Sequence, residues 1–329
     1  MNSPRSMHTA SVLANGKVLV ICGQKDTRQY TNTAELYDSS TDSWNATGSL
    51  DHARGSHTAS LLADGKVLVA AGGDGSTPLN SAELYDPSTS NWTTTGNLNN
   101  ERFSHTASVL ADGKVLVTGG YSTDGPTNKA ELYDPSTKSW RTALVDDLTY
   151  KRADHTASVL TDGKVLVTGG RGDSKALNSA ELYDPTTGSW TITGNLSSVR
   201  RFHAASVLTD GRMLVSGGEN DNIALNSAEL YDPSTGNWTI TGNLTNARHH
   251  HTSTVLNNGK VLVVGGFADN DYTLDSVELY DPSTGNWTII DNLNDARYGH
   301  TTSVLNNGKI LVTGGEYRTD RVMTSAEFY

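Results

Sequence analysis

Residues 105–120 read HTASVLADGKVLVTGG, and close copies of this stretch recur along the 329-residue chain. His8, His57, His105, His155, His203, His251 and His300 mark the copies, at spacings of 49, 48, 50, 48, 48 and 49 residues. A fixed period near 50 signals an array of like supersecondary units, none able to bury its own faces alone. From His105 to Leu110 the residues alternate with the period of a half-buried strand. Asp112-Gly113 follows, and Asn-Gly or Asp-Gly stands at the same place in the other six copies. Such dipeptides favour positive φ and predict a hairpin closed by a type I′ turn. The second strand, Lys-Val-Leu-Val, ends on a glycine doublet such as Gly119-Gly120, replaced by Cys22-Gly23 and Ala71-Gly72 in the first two copies.

After a loop of eight or nine residues, Ser-Ala-Glu-Leu-Tyr reads as a third strand, closed by Asp-Pro-Ser-Thr as in Asp86 to Thr89. Trp44, Trp92, Trp140, Trp190, Trp238 and Trp287 then open a fourth strand. No helical periodicity competes. Four short antiparallel strands per period predict an all-β, seven-bladed propeller, because sheets stacked face to face cover one another's apolar surfaces. The Arg-x-x-His lead, the doublet, the Tyr-Asp-Pro and the spaced Trp together resemble the kelch repeat, over essentially the whole chain. The resemblance implies a single propeller over residues 1–329, like the central domain of galactose oxidase but without the oxidase residues. Its blades are expected at about 5–49, 54–97, 102–148, 152–196, 200–244, 248–293 and 297–329. The seventh should lack its outermost strand, since Tyr329 precedes the turn and Trp strand. Another segment is expected to supply that strand, or a chain boundary to account for it.

The lone Cys22 excludes an intrachain disulfide framework. No apolar run approaches the ~20 residues of a membrane span, so no membrane partner is expected. A net charge of −11 speaks against nucleic acid, which demands a concentrated basic surface. Most of the acidic excess lies in segments that differ between copies.

Groups present in every blade suit a frame better than a reactive centre, which needs its groups once. The seven Arg, His and Glu are therefore read as hydrogen-bonding and ion-pairing structure, and the Trp and Tyr as core. Among His249, His250 and His251, neighbours on a strand would point to opposite faces and could not chelate one ion. Arg171-Gly172-Asp173 matches an adhesion tripeptide, and 219–222 and 269–271 are acidic loops without EF-hand spacing. No metal and no cofactor are expected.

Variation is concentrated after the doublets, at 24–32, 73–80, 121–128, 171–178, 219–226, 267–275 and 316–324, and in the links between blades. A rigid scaffold displaying unlike loops is built for recognition. The kelch resemblance implies contacts from the residue after each doublet, Gln24, Gly73, Tyr121, Arg171, Glu219, Phe267 and Glu316. It implies a second set after each leading Arg: Ser6, Gly55, Phe103, Ala153, Arg201, His249 and Tyr298. Exposed Tyr, Phe and Arg among them are the expected anchors. The sequence thus reads as a non-enzymatic scaffold for a protein or peptide carrying basic groups. It would act as a monomer, with an edge at the incomplete seventh blade open to pairing. Carbohydrate binding at the same loops is the alternative. An oxidase or epimerase is a further one, for which Cys22, inside the frame, offers no accompanying His and Tyr set.

Overall fold

Short β-prone runs, interrupted at regular intervals by Gly and Asp-Pro, fold the chain into antiparallel sheets and no helix among the described residues. The computed structural model describes residues 1–26, 29–142, 145–318 and 321–329. The protein is a seven-bladed β-propeller with six four-stranded blades and a seventh of three strands, Thr301–Val304, Ile310–Thr313 and Ala326–Phe328. In blade 3 the strands are Thr106–Val109, Val115–Thr118, Ala130–Asp134 and Ser139–Arg141, paired in sequence order.

Residue contacts divide the chain into two units: 1–145 with 299–316 and 320–329, holding blades 7, 1, 2 and 3, and 146–298 with 317–319, holding blades 4, 5 and 6. Within each unit the cores lie between blades. Leu19 and Ile21 of blade 1 pack with Val67, Val69 and Tyr85 of blade 2, while Val18 and Val20 meet Leu305 and Leu311 of blade 7. In the second unit Leu214 and Leu230 pack with Val261, Val263 and Tyr280. The second strand of every blade is buried along its length, as it must be when both faces are covered.

The leading arginine explains the doublet. Arg102 is wholly buried; its Nη1 donates to the Gly119 and Lys129 carbonyls, and its Nη2 to Glu131 Oε1 at 2.8 Å. Equivalent Arg–Glu pairs of 2.5–3.0 Å occur in each of blades 1 to 6. Only a planar fork with five donors can serve the ends of two strands and a carboxylate together, which lysine cannot do. The same arginine's carbonyl accepts the N–H of the second doublet residue in the preceding blade, as in Gly72 to Arg102 and Gly170 to Arg200, both 2.8 Å. A Cβ on Gly170 would lie 2.6 Å from the Ala153 carbonyl oxygen, so glycine is required there. The first doublet residue is left-handed in all copies, and Cys22 (φ 56°) and Ala71 (φ 54°) adopt that conformation too.

The tryptophans and tyrosines also reach backward. Trp92 packs against Tyr85 with centroids 5.0 Å apart and planes inclined by 47°, and donates Nε1–H to the Gly48 carbonyl of blade 1, while Tyr85 hydroxyl meets Thr47 Oγ1 at 2.8 Å. These residues are core and inter-blade cement together.

Two local expectations are corrected. The Asn-Gly and Asp-Gly hairpins are not type I′. Leu13 N–H bonds to the Lys17 carbonyl and Gly16 N–H to the Leu13 carbonyl, leaving residues 14–16 as a three-residue loop in which only Gly16 has positive φ, at 80°. This is a type I turn followed by a left-handed glycine. The Asn15 side chain instead accepts the Lys17 N–H at 3.1 Å. The variable loops, read only as loops of eight or nine residues, contain small hairpins of their own. Gln24–Asp26 pairs with Gln29–Tyr30, Tyr121–Ser122 with Gly125–Pro126, and Phe267–Ala268 with Tyr272–Thr273. They turn on residues such as Asn270 and Asp271, both at positive φ. Residues 27, 28, 319 and 320 of these loops lie outside the described residues.

Glu131 also accepts N–H bonds from Asn99 (2.7 Å) and Asn100 (3.1 Å) and from both their side-chain amides. Removing its charge leaves Arg102 buried without a counter-ion, so Glu131→Gln should lower unfolding stability by about 3 kcal/mol. Urea denaturation checks this.

Candidate recognition site

The two strands that carry the implied contact residues run together beyond the end of each blade. The residue after the arginine lies directly opposite the residue after the doublet, and the two exchange backbone hydrogen bonds. The pairs are Ser6 with Gln24, Gly55 with Gly73, Phe103 with Tyr121, Ala153 with Arg171, Arg201 with Glu219 and His249 with Phe267. For Phe103 and Tyr121 the two bonds measure 3.1 and 2.8 Å. In blades 1 to 6 the repeated frame thus delivers one cross-strand pair of positions per blade, alike in backbone and different in chemistry.

In the first unit, Phe103 and Tyr121 stack with centroids 5.2 Å apart. Blade 2 contributes no side chain at its pair: a Cβ on Gly55 would sit 2.5 Å from Tyr30 Cε1, so the glycine makes room for that ring. Glu316 is buried and accepts a short hydrogen bond from the Ser6 hydroxyl. The aromatic and arginine anchors, expected to be exposed, are half-buried, because they lean on neighbours: Phe103 on Tyr121, Arg201 on Glu219, Arg171 on Asp221 and Phe267 on Tyr298.

In the second unit the mapped residues form one cluster. Arg201 and Glu219 are ion-paired, His249 Nε2 lies 3.4 Å from Glu219 Oε2, and His249 meets Phe267 edge-on at 5.5 Å. Phe267 packs against Tyr298 at 4.8 Å. His249 and His250 do not diverge as strand neighbours would; their Nδ1 atoms are 2.6 Å apart, since His250 has φ 52° and leaves the extended conformation. Burial pushes both imidazoles down from their usual pKa, His250 to about 3, with His249 and Arg201 adding to its shift.

Two structural features escaped the sequence reading. One is the second residue after each arginine: Met7, Ser56, Ser104, Asp154, Phe202, His250 and Gly299 all have φ between 50° and 61°. In the first unit Met7 N–H donates to Gly299 oxygen, Ser56 to Met7 and Ser104 to Ser56; in the second, Phe202 donates to Asp154 and His250 to Phe202. This string places Phe202 against His250, rings stacked at 3.8 Å. Its signal was present, since these positions vary as much as their neighbours.

The other is what the acidic loop residues hold. Asp221 accepts the Ala176 N–H at 2.8 Å and pairs with Arg171 at 3.3 Å, and Asp269 accepts the Ala224 N–H at 2.8 Å. The carboxylates at 221 and 269 bind the preceding blade's loop instead of standing free for calcium. Arg171 and Asp173 of the tripeptide are likewise engaged, with Asp221 and with Lys151 at 3.2 Å.

With this geometry in hand, the model of the KLHDC2/KLHL20/DRC7 Kelch-repeats domain matches residues 1–143 and 104–315. The chain belongs to the kelch-repeat family. Comparison of its sequence with curated proteins finds no match. Among solved structures it is similar to a novel fungal alcohol oxidase of the AA5 family in complex with copper. The TM-score is 0.78 and the identity 22%, over 95% of this chain and 70% of that one. The likeness is one of fold. Cys22 is a buried frame residue whose thiol burial pushes up to about 12. Among the described residues no three His, Cys, Asp or Glu are grouped to hold a metal ion.

The repeated histidines of this kelch propeller are structural. His57 Nε2 bonds to Thr9 Oγ1 of the preceding blade at 2.8 Å, His105 to Thr58 at 2.9 Å and His203 to Thr156 at 2.9 Å. Burial lowers His8, His105 and His203 to about 3, with the neighbouring arginines adding to the shift. Unfolded histidine titrates near 6.5, so the unfolded state takes up protons first as pH falls. Stability is full above about pH 6.5 and is lost from there toward pH 3, by roughly 1.4 kcal/mol per pH unit for each buried histidine. Asp38 and Asp281, held at about 2 mainly by hydrogen bonds from Ser40 and Ser283, lose their contribution only below about pH 4. A steep fall in urea midpoint between pH 6.5 and 4.5, shallower in His105→Gln, is the expected result.

Proposed function

We propose that this kelch propeller is a recognition scaffold that binds a protein or peptide ligand through the cross-strand pairs and loops at one end of its blades. One observation carries the reading. The chain repeats its buried Arg, His, Glu, Tyr and Trp nearly unchanged, yet at each pair it places a different chemistry on the same backbone: polar in blade 1, glycine in blade 2, aromatic in blade 3, cationic in blade 4, an ion pair in blade 5, and imidazole with phenyl in blade 6. A frame with no recognition task has no use for such difference at positions whose backbone is held fixed.

Half-buried aromatic residues supported by their neighbours suit the anchors of an interface, because little side-chain freedom is left to lose on binding. Phe103 with Tyr121 and Phe267 with Tyr298 have that form. The acidic excess favours ligands with basic groups through long-range attraction.

The test is selection of ligands from a random-peptide display library on the purified protein, followed by affinity measurement. The triple variant Phe103→Ala, Tyr121→Ala, Phe267→Ala should keep its melting temperature and lose at least about tenfold in affinity, or 1.4 kcal/mol. Equal binding by variant and parent overturns the assignment.

A further inference from the structure

Blade 7 differs from the other six at its rim. In blades 1 to 6 a fourth strand covers the third, and the buried third-strand Tyr packs against a Trp, as Tyr37 does against Trp44 at 5.0 Å. The third strand of blade 7, Ala326–Phe328, has no strand on its outer side among the described residues. Phe328 and Tyr329 stand at the places of Leu36 and Tyr37, yet they are 46% and 36% exposed, against 2% for Tyr37. Tyr329 exchanges both main-chain hydrogen bonds with Ile310 on the inner side. In an antiparallel ladder the N–H and C=O of Phe328 therefore face outward. Phe328 is held in place between the Tyr37 ring at 5.9 Å and the Lys309 ammonium at 5.8 Å. Such an edge is a template for an added strand.

Blade 1, which packs on blade 7 in the same unit, shows what that strand would carry. In blades 2, 3, 5 and 6 the third-strand Tyr hydroxyl meets a Thr of the preceding blade's fourth strand, Thr47, Thr95, Thr193 or Thr241, each at 2.8 Å. Tyr37, whose preceding blade is blade 7, instead turns its hydroxyl to Asp42 of its own blade. The indoles behave in parallel. In blades 2 to 6 the Trp N–H donates to a carbonyl of the preceding blade at 2.8–3.0 Å, whereas that of Trp44 donates to no described residue. In blades 2, 3, 5 and 6 the accepting residue is the Gly that follows the Thr. The fourth strands that serve both contacts share Trp-x-x-Thr-Gly, as in Trp44 to Gly48 and Trp238 to Gly242.

We infer that the outer edge of blade 7 is a docking site for one extended segment of a partner polypeptide bearing Trp-x-x-Thr-Gly. The segment lies antiparallel to Ala326–Phe328. Its Trp covers Tyr329, and the next residue takes both main-chain bonds of Phe328. Its Thr N–H reaches the Ala326 carbonyl, as Thr47 reaches Ala34 at 3.1 Å. The Thr hydroxyl draws Tyr37 from Asp42, and the Gly carbonyl accepts the Trp44 N–H. A second copy of this chain does not suit the edge. Its own Trp-x-x-Thr-Gly strands are each paired within a blade, and its open strand, Ala326 to Tyr329, brings neither Trp nor Thr. The site is separate from the loops proposed above for recognition and does not depend on them.

The probe is the acetylated, amidated peptide Gly-Asn-Trp-Thr-Ile-Thr-Gly-Asn, the sequence of residues 236–243. Added to the intact protein, it should bind one to one in calorimetry, slow amide exchange at Phe328 and shift the Trp44 indole N–H in ¹H–¹⁵N spectra. Ala in place of its Trp should cost at least about tenfold in affinity. Phe328→Pro removes the outward N–H, a change that edge strands tolerate, and should abolish binding with circular dichroism unchanged. Tyr37→Phe, which keeps the ring and loses the hydroxyl, should weaken binding. No binding up to about 1 mM, equal binding of the Ala peptide, or an unmoved Trp44 resonance at saturation overturns the site. Binding that survives Phe328→Pro and is lost in the triple loop variant also overturns it, and leaves the scaffold reading intact. Self-association in sedimentation that Phe328→Pro abolishes gives the edge to a second copy and overturns the partner segment.

Discussion

The buried arginine at the head of each repeat is the constraint on which the rest of the structure depends. Its guanidinium closes the ends of two strands and a glutamate in its own blade, and its carbonyl takes the glycine amide of the blade before. Burying seven guanidinium groups is costly unless every donor is matched and each charge is countered. In blades 1 to 6 the third-strand glutamate does this, which is why that letter never changes. The doublet glycine follows from the same contact, as any side chain there would strike backbone. Apolar burial supplies most of the stabilisation, but the arginine decides the register at which one blade meets the next.

This accounts for how much could be read from the letters. Strand number, blade number and the incomplete seventh blade were legible because they follow from periodicity, which averages over seven copies. The type I turn with left-handed glycine was not, because Asn-Gly serves two hairpin geometries and the choice lies in whether Leu13 pairs with Lys17 or one residue sooner. Loop hairpins escaped for a similar reason: strands two residues long carry no period. At the candidate site, the residues after the arginine and the doublet could be named from the kelch resemblance, yet their pairing across the ladder could not. The left-handed turn that brings His250 onto Phe202 could not be read, because αL backbone at a non-glycine position leaves no mark in composition.

Kelch membership and the fold shared with a copper-bound alcohol oxidase bear differently on function. The fold is a support on which many chemistries are hosted, and 22% identity transmits the support alone. What distinguishes this chain is the set of residues mounted at the ends of its blades. Those residues are not free arms. Asp221 and Asp269 stitch neighbouring loops together in the second unit, and aromatic rings brace one another. A surface so braced is organised before any ligand arrives, which lowers the entropy lost on association.

The string of left-handed residues has a bearing on how such a protein can change. Its hydrogen bonds run from main chain to main chain, so methionine, serine, aspartate, phenylalanine, histidine and glycine all serve in it. Each non-glycine member tolerates an intrinsic cost of about 1 kcal/mol, already met by the surrounding blades. A substitution there exchanges one strained side chain for another and leaves the net cost nearly level. The residues of the string can therefore be exchanged one blade at a time, by single-codon steps, without passing through an unfolded intermediate genotype.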